Sequence, residues 1–362
     1  MAATRVLPTP AAVNTSSYYG YQLRKLAFGA LVTLFTCMAL MVYLLPFGNM
    51  MMVALSNPTQ LSQSSTDSVL PTTAITFNYE GKEYPIYKVE TPEGTKRYAL
   101  IDKGRTASDM IDVENPDAGV FKWEGRWQQL EPSRAIAFEW ANFSRAWNAI
   151  NFPRLFTNTL IIAVAGMIGT LLSCICVAYA FARFPIPGKN ILFIILIATI
   201  ILPSQVTLIP TYAFFAAIGW TNSWLPLIVP HFFANAFNVF LLRQFFMTLP
   251  RDLDEAAMID GAGPLQILLR VIIPQSWPAI VAVGVFHFVF AWNDFFGPLI
   301  YLIGKPELQP VSVGVQVFNF QYGPRPELVQ ATSMMALVLP LIIFFLAQKV
   351  FMRGVVITGV EK

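Results

Sequence analysis

Residues 190–242 read NILFIILIATIILPSQVTLIPTYAFFAAIGWTNSWLPLIVPHFFANAFNVFLL, 53 consecutive positions without Asp, Glu, Lys or Arg. A membrane-crossing helix needs about 20 predominantly apolar residues, so the run is too long for one crossing and long enough for two. Gly219-Trp220-Thr221-Asn222-Ser223 supplies the turn residues that divide it, and Pro203 should kink its first half. Outward from there, uncharged runs recur at 26–45, 155–182, 271–293 (continuing past Asp294) and 328–348. Six spans are expected: helix 1 over 26–47, then helices 2 to 6 over about 155–182, 190–215, 224–247, 275–303 and 328–349.

Composition agrees. Of the 362 residues, 55% are hydrophobic and 12% charged, against about 25% charged in soluble domains. That deficit excludes a disordered chain, a nucleic-acid binder with a basic surface and most soluble enzymes. It is also uneven: residues 56–154 hold 13 acidic and 11 basic side chains, 24 of the chain's 45. Cys37, Cys174 and Cys176 lie in apolar stretches, so neither a disulfide framework nor a metal site is expected.

Short basic loops set orientation. Arg5, Arg24 and Lys25, then Arg183 and Lys189, then Arg243, Arg251 and Arg270, and finally Lys349, Arg353 and Lys362 fall on one side, which becomes the cytoplasm. Both termini, the tails 1–25 and 354–362, are then cytoplasmic and the 56–154 segment is extracytoplasmic. Ala54-Leu55-Ser56 resembles a cleavage site, but the apolar run before it exceeds the usual h-region of about 7–15 residues, so a retained anchor is expected. The insertion reads as β-rich, with strands at 75–79, 84–89 and 98–101, turns at Glu80-Gly81-Lys82 and at 91–94 (Glu93 included), and one more hairpin at 121–127. It holds no His and only scattered acids, so no catalytic residues are assigned.

The cytoplasmic loop 249–274 carries the most information. Asp252 and Asp254 suit a helix N-terminus, and Glu255-Ala256-Ala257-Met258 favour helix. Gly261 suits the stop and Pro264 the first turn of a second helix reaching about 273. The result is an elbow with small Ala side chains on its first helix, close to the membrane surface. Physics alone leaves docking and simple connection both open.

Glu255-Ala256-Ala257, then Gly261 after three intervening residues, then Val271-Ile272-Ile273-Pro274 after nine more, resembles the EAA loop of ABC-importer permeases. The family usually has Ile at the place of Val271 and Leu at that of Ile273; both changes keep the site apolar. Asn158-Thr159, Ala178 to Phe184, Leu202-Pro203-Ser204-Gln205, Leu241 to Phe246 and Trp292-Asn293-Asp294-Phe295 are similar to the carbohydrate branch, in particular the second permease subunit of maltose-type systems. The resemblance implies an all-α polytopic protein, the ABC type I importer permease fold with a permease core over 155–353, in a bacterial inner membrane. The β-rich insertion between helices 1 and 2 is not part of the common pattern.

By the same resemblance the partners are a second permease subunit, a nucleotide-binding ATPase dimer, an extracytoplasmic solute-binding protein and the lipid membrane. Glu255, Ala256, Ala257, Asp260 and Gly261 would couple ATPase closure to alternating access. The tail with Gly354 and Gly359 also resembles the family's end. The solute implied is a sugar, oligosaccharide, polyol or sugar phosphate; the alternative is a permease for a non-sugar solute. ATP and Mg would bind the ATPase partner, with no cofactor in this chain. Independently, Gly81-Lys82, Gly188-Lys189 and Gly304-Lys305 all lack the Ser or Thr that completes a P-loop.

Polar residues at membrane depth are candidates for the translocation path because lipid exposure is expensive. Those are Gln205, Asn235 and Asn238 (three apart, hence one helix face), Asn293 and Asp294. His231 and His287 make neither a metal site nor a proton relay by themselves, and Trp220 and Trp224 suit an interfacial belt. A membrane enzyme would need acid–base groups gathered at one depth. An autonomous ion-driven carrier would show internal repeats, and a sensor or scaffold would need only one anchor.

Overall fold

The computed structural model describes residues 15–61, 70–92, 94–320 and 323–356; the side chains of 15–19, 204–205 and 351–356 are outside that description. Expectations for Arg5, for Glu93, for the Gln205 side chain, and for Arg353, Gly359 and Lys362 therefore lie outside the described residues. The chain divides into two compact units, 1–52 and 53–362.

The first unit is helix α1, Thr15–Ala54, up to Met52. Its 40 residues extend about 60 Å at 1.5 Å per residue, twice the hydrocarbon thickness of about 30 Å.

The second unit begins with the short α2 (Pro58–Leu61) and a sheet region. Strands β2 (Thr76–Tyr79), β3 (Lys82–Thr91), β4 (Gly94–Asp102), β5 (Ala107–Asp112) and β6 (Val120–Glu124) lie side by side in that order, antiparallel, and β7 (Glu131–Pro132) also pairs β3. β1 (Thr72–Ala74) pairs separately with β8 (Arg134–Ile136). Glu80 and Gly81 both take positive φ (51° and 78°) between the paired Tyr79 and Lys82, the two-residue primed turn whose twist matches that of the strands.

Alternation puts Val89, Tyr98, Leu100 and Met110 on one face under Trp127 and Leu130. The other face carries Ile86, Ala99 and Ile111 with Phe77, Tyr79 and Tyr84. Residues 121–127 are not a hairpin: β6 pairs with β5, and the chain then turns at Gly125 into a 3-10 turn at Trp127–Gln129. With its partner strand at 107–112, β6 needed no second arm of its own.

After α3 (Ala141–Ala149) the helices α4 (Phe152–Arg183), α5 (Lys189–Ile201), α6 (Ser204–Ala217), α7 (Leu225–Ile228) and α8 (Ala236–Thr248) follow. Then come α9 (Asp252–Ile259), α10 (Pro264–Ile267), α11 (Ile273–Gln275), α12 (Trp277–Asn293), α13 (Phe296–Tyr301), α14 (Val311–Gly314), α15 (Val317–Phe320) and α16 (Pro326–Val356). Among the described residues four segments are long and apolar enough to cross a membrane: Gly20–Ala54, Phe152–Arg183, Leu225–Thr248 and Pro326–Val350. Two bent pairs bring the number to at most six, one bent by 99° around Pro203 and one by 82° around Ser276. The fifth apolar stretch is thus no single helix over 275–303. It bends at Ser276 and stops again at Asn293, because Asp294 turns the chain into α13.

α4 packs against both α8 and α12, and α12 against α16. Small residues on the α4 face permit this: a Cβ on Gly169 would fall 2.6 Å from the Phe232 ring, and one on Gly166 3.0 Å from His287 Nε2.

Within the second unit α3 is tied to the 54–56 segment by Asn142, whose Nδ2 donates to the carbonyls of Ala54 and Ser56, each at 2.9 Å, with the residue fully buried. Asn142→Ala leaves both buried acceptors without a donor and should destabilise by about 2–3 kcal/mol, lowering the melting temperature in detergent by several degrees. An unchanged melting curve would remove Asn142 as a tether.

Candidate coupling elbow

The elbow is built as the local sequence dictates. α9 opens with three acids, Asp252, Asp254 and Glu255, at its positive end. It closes in a Schellman motif: the Ala262 amide donates to Ala257 O (2.9 Å) and the Gly261 amide to Met258 O (3.0 Å). Gly261 takes φ +80° there, a conformation costly to any residue with a Cβ. Pro264 then starts α10, with the Gly263 amide donating to Gln266 Oε1 at 3.0 Å. The second helix continues to Gln275 through a π-turn at Leu268–Ile272.

The underside is locked. Ile267, Leu268 and Ile272 are buried with Cys174, Ala178, Tyr179 and Ala182 of α4 and Val239, Leu242 and Phe246 of α8. Arg183 Nε lies 2.8 Å from Asp254 Oδ2, both side chains less than 10% exposed (7% and 8%). Their geometry is that of a close ion pair rather than an aligned hydrogen bond, and Asp254 Oδ1 has no partner among the described residues. Arg183 Nη2 also donates to Leu249 O (3.1 Å), and the Tyr179 hydroxyl to Pro264 O (3.2 Å). The end of α4 therefore holds the end of α8, the start of α9 and the start of α10.

The outer side is open. Glu255, Ala256, Asp260 and Gly261 are exposed, and Met258, Ile259, Leu265 and Leu269 present large apolar side chains to the outside, Ile259 at 86% exposure. Ala257 is half-buried against the core cluster, so of the two alanines only Ala256 faces fully outward. Asp254 is the larger departure. Its sequence position reads as a helix-end charge, yet it points inward to Arg183, a residue that reads only as an orientation signal. The motif around Ala178 to Phe184 flagged the right stretch without giving the arginine a partner.

Of the path candidates, Asn235, Asn293 and Asp294 make local side-chain contacts with the backbone. Asn235 precedes α8 rather than sharing its face with Asn238: its Oδ1 accepts the Asn238 amide at 2.9 Å, while Asn238 itself is buried. Asn293 Nδ2 donates back to Val289 O (2.8 Å). Asp294 Oδ1 accepts the Gly297 amide (3.2 Å), and its carbonyl accepts the Ser312 hydroxyl (2.6 Å). Gln205 lies in the first turn of α6, its side chain outside the described residues.

His231 and His287, far apart in sequence, meet edge to face with ring centroids 4.5 Å apart, and His287 Nδ1 is 3.1 Å from Thr170 Oγ1. Trp220 and Trp224 serve protein contacts: Trp220 stacks on Phe215, and Trp224 Nε1 donates to Leu308 O (2.9 Å). Asn158 Nδ2 donates to both Glu307 O and Gln309 O at 2.9 Å, and Thr159 Oγ1 accepts the Val311 amide at 3.0 Å, which accounts for that motif physically.

Residues 169–356 match the family described as binding-protein-dependent transport system inner membrane component. The chain is 32% identical to the osmoprotective compounds uptake permease protein GgtD of Synechocystis sp., over 66% of this chain and 80% of that protein. It is 31% identical to the sn-glycerol-3-phosphate transport system permease protein UgpE of Pectobacterium atrosepticum, over 60% of this chain and 79% of that one. Its fold is similar to that of a chain of a bacterial ABC transporter involved in import of the acidic polysaccharide alginate, with TM-score 0.61 at 18% identity over 94% of this chain and 99% of the other. The chain belongs to the binding-protein-dependent transport system inner-membrane components, the helical permease subunits of ABC importers.

Proposed function

We propose that this permease serves an importer of a small polyhydroxylated solute, a sugar, polyol or sugar phosphate, and that its 249–274 elbow is where ATP-driven closure enters the chain. The elbow carries the reading: an exposed tip of Glu255, Ala256, Met258 and Ile259 stands on a base locked to α4 by the buried Arg183–Asp254 pair. An exposed tip can enter another protein's groove, and a locked base passes the displacement on instead of absorbing it. The carbohydrate-type motifs and the glycerol-phosphate relative support the solute class.

In this reading the nucleotide-binding ATPase dimer holds ATP and Mg and receives the tip. A second permease completes the path, and a solute-binding protein delivers from outside. Closure of the ATPase pair shifts the population between two discrete arrangements of the spans. The six crossings are the four long apolar segments and the two bent pairs. Both termini and the elbow face the cytoplasm, and the insertion faces outward.

Ile259→Asp and Glu255→Lys, made in the chain co-expressed with its partners, should reduce retention of the ATPase on purification. Loss of one buried aliphatic contact of about 1.5–3 kcal/mol corresponds to roughly tenfold or more in affinity. Full retention and full uptake by both variants would falsify the docking role.

Arg183→Ala leaves a buried carboxylate unpaired, a cost of about 3–5 kcal/mol. Amide exchange over 250–265 should speed up, and uptake should fall even where the ATPase stays bound. The double reversal Arg183→Asp with Asp254→Arg should recover part of that protection. Unchanged exchange in the single variant would mean that the pair does not hold the elbow.

A further inference from the structure

At one end of the insertion's sheet the β4–β5 turn meets the exit of β6, and the Gly125 amide donates to Thr106 O at 2.9 Å. That bond sets Arg105 and Arg126, the neighbours of the two bonded residues, beside one another. A cleft of about 510 Å³ opens there, lined by Arg105, Thr106, Arg126, Gln128 and Gln129. The lining holds two guanidiniums, two amides and a hydroxyl, and no carboxylate.

Four other cations of the insertion are already engaged. Lys88 faces Glu131 (4.0 Å), Arg97 pairs with Glu114 (3.2 Å), Arg145 with Glu139 (3.3 Å), and Lys103 stands 5.2 Å over the Trp127 ring. Arg105 and Arg126 have no side-chain hydrogen bond or ion pair among the described residues. Glu124 is two positions from Arg126 but does not line the cleft.

We propose that this cleft binds the oxyanion of a small hydroxylated solute, a carboxylate or phosphate, with Arg105 and Arg126 on the anion and Thr106, Gln128 and Gln129 on hydroxyls. Two like charges held in one cleft repel, and an oxyanion placed between them turns that repulsion into two charge-assisted contacts. The planar guanidinium fork matches carboxylate and phosphate geometry in a way a point charge does not. Amide and hydroxyl groups offer both donors and acceptors, which suits sugar hydroxyls. The volume falls within the range of about 300–1,000 Å³ typical of small-molecule clefts. The arginines are exposed, so screening by water and salt keeps the affinity in the millimolar range. A weak site at the outer surface concentrates solute without trapping it. That place in import rests on the outward orientation proposed above; the binding itself does not.

The test uses the full chain assembled with its partners in lipid nanodiscs. Glucuronate, glucose 6-phosphate and, as neutral control, glucose are titrated by ligand-observed NMR at low and high salt. At least one anion should bind, more weakly as salt rises, and glucose should not. The pair Arg105→Gln with Arg126→Gln should weaken anion binding about tenfold, while Lys82→Gln at the β2–β3 turn should leave it unchanged. The stronger of the two anions identifies carboxylate or phosphate as the source. Equal binding of glucose, unchanged affinity in the double variant, or absence of binding by both anions overturns the proposal. Binding of an acidic peptide in place of both sugars also overturns it, making the cleft a protein contact. Retention of the ATPase by the same samples reports separately on the elbow, so either assignment can fail alone.

Discussion

Hydrocarbon offers no hydrogen bonds, so every break in a membrane-crossing helix must satisfy its freed amides and carbonyls from within the protein. This chain breaks its apolar helices at Pro203, between Val229 and Asn235, at Ser276 and at Asp294. Several of its polar side chains are spent there. Asn235 Oδ1 takes the Asn238 amide, Asp294 Oδ1 takes the Gly297 amide, and the Ser312 hydroxyl reaches the Asp294 carbonyl. Ser173 on α4 lies 3.2 Å from the His231 carbonyl, so the break before α8 is held partly by the neighbouring helix. Because such partners come from other elements, the breaks are also packing sites, and Gly166 and Gly169 open the room they need.

The same constraint gives the Arg183–Asp254 pair its weight. Two charges out of water gain little over an apolar pair of the same shape, but neither tolerates loss of the other. The pair therefore selects one arrangement of α4 and the elbow more than it raises overall stability. With the Tyr179 and Arg183 bonds to Pro264 O and Leu249 O, it fixes α9 at both its approach and its exit. α9 is thereby joined to α4, and α4 packs on α8 and α12.

Much of this was legible from local signals. The helix from Asp252, its stop at Gly261 and the restart at Pro264 follow from propensity, from a left-handed position that suits glycine, and from a fixed proline φ. The bend at Pro203 follows from the missing amide. Contacts distant in sequence were not legible. Nothing near Asp254 names Arg183 as its partner, and nothing near His231 names His287. The pairing of Asn235 with Asn238 failed for a different reason: a three-residue spacing implies one face only inside a helix, and α8 begins at Ala236. The strand at 107–112 gives little local signal because Ala107-Ser108-Asp109-Met110-Ile111-Asp112 lacks a clean two-residue alternation, and pairing on both edges holds it.

If the polar groups of the core serve mainly to close backbone breaks, few remain to recognise a solute. Asn293 is bonded back to its own helix, Asn235 and Asp294 hold helix starts, and Asn158 and Thr159 hold the 307–311 loop. The polar groups named here are thus tied to backbone closure, while most of the chain's charge resides in the insertion. The charge deficit of the apolar helices and the charge surplus of the insertion follow the same constraint: charge is kept where water can solvate it.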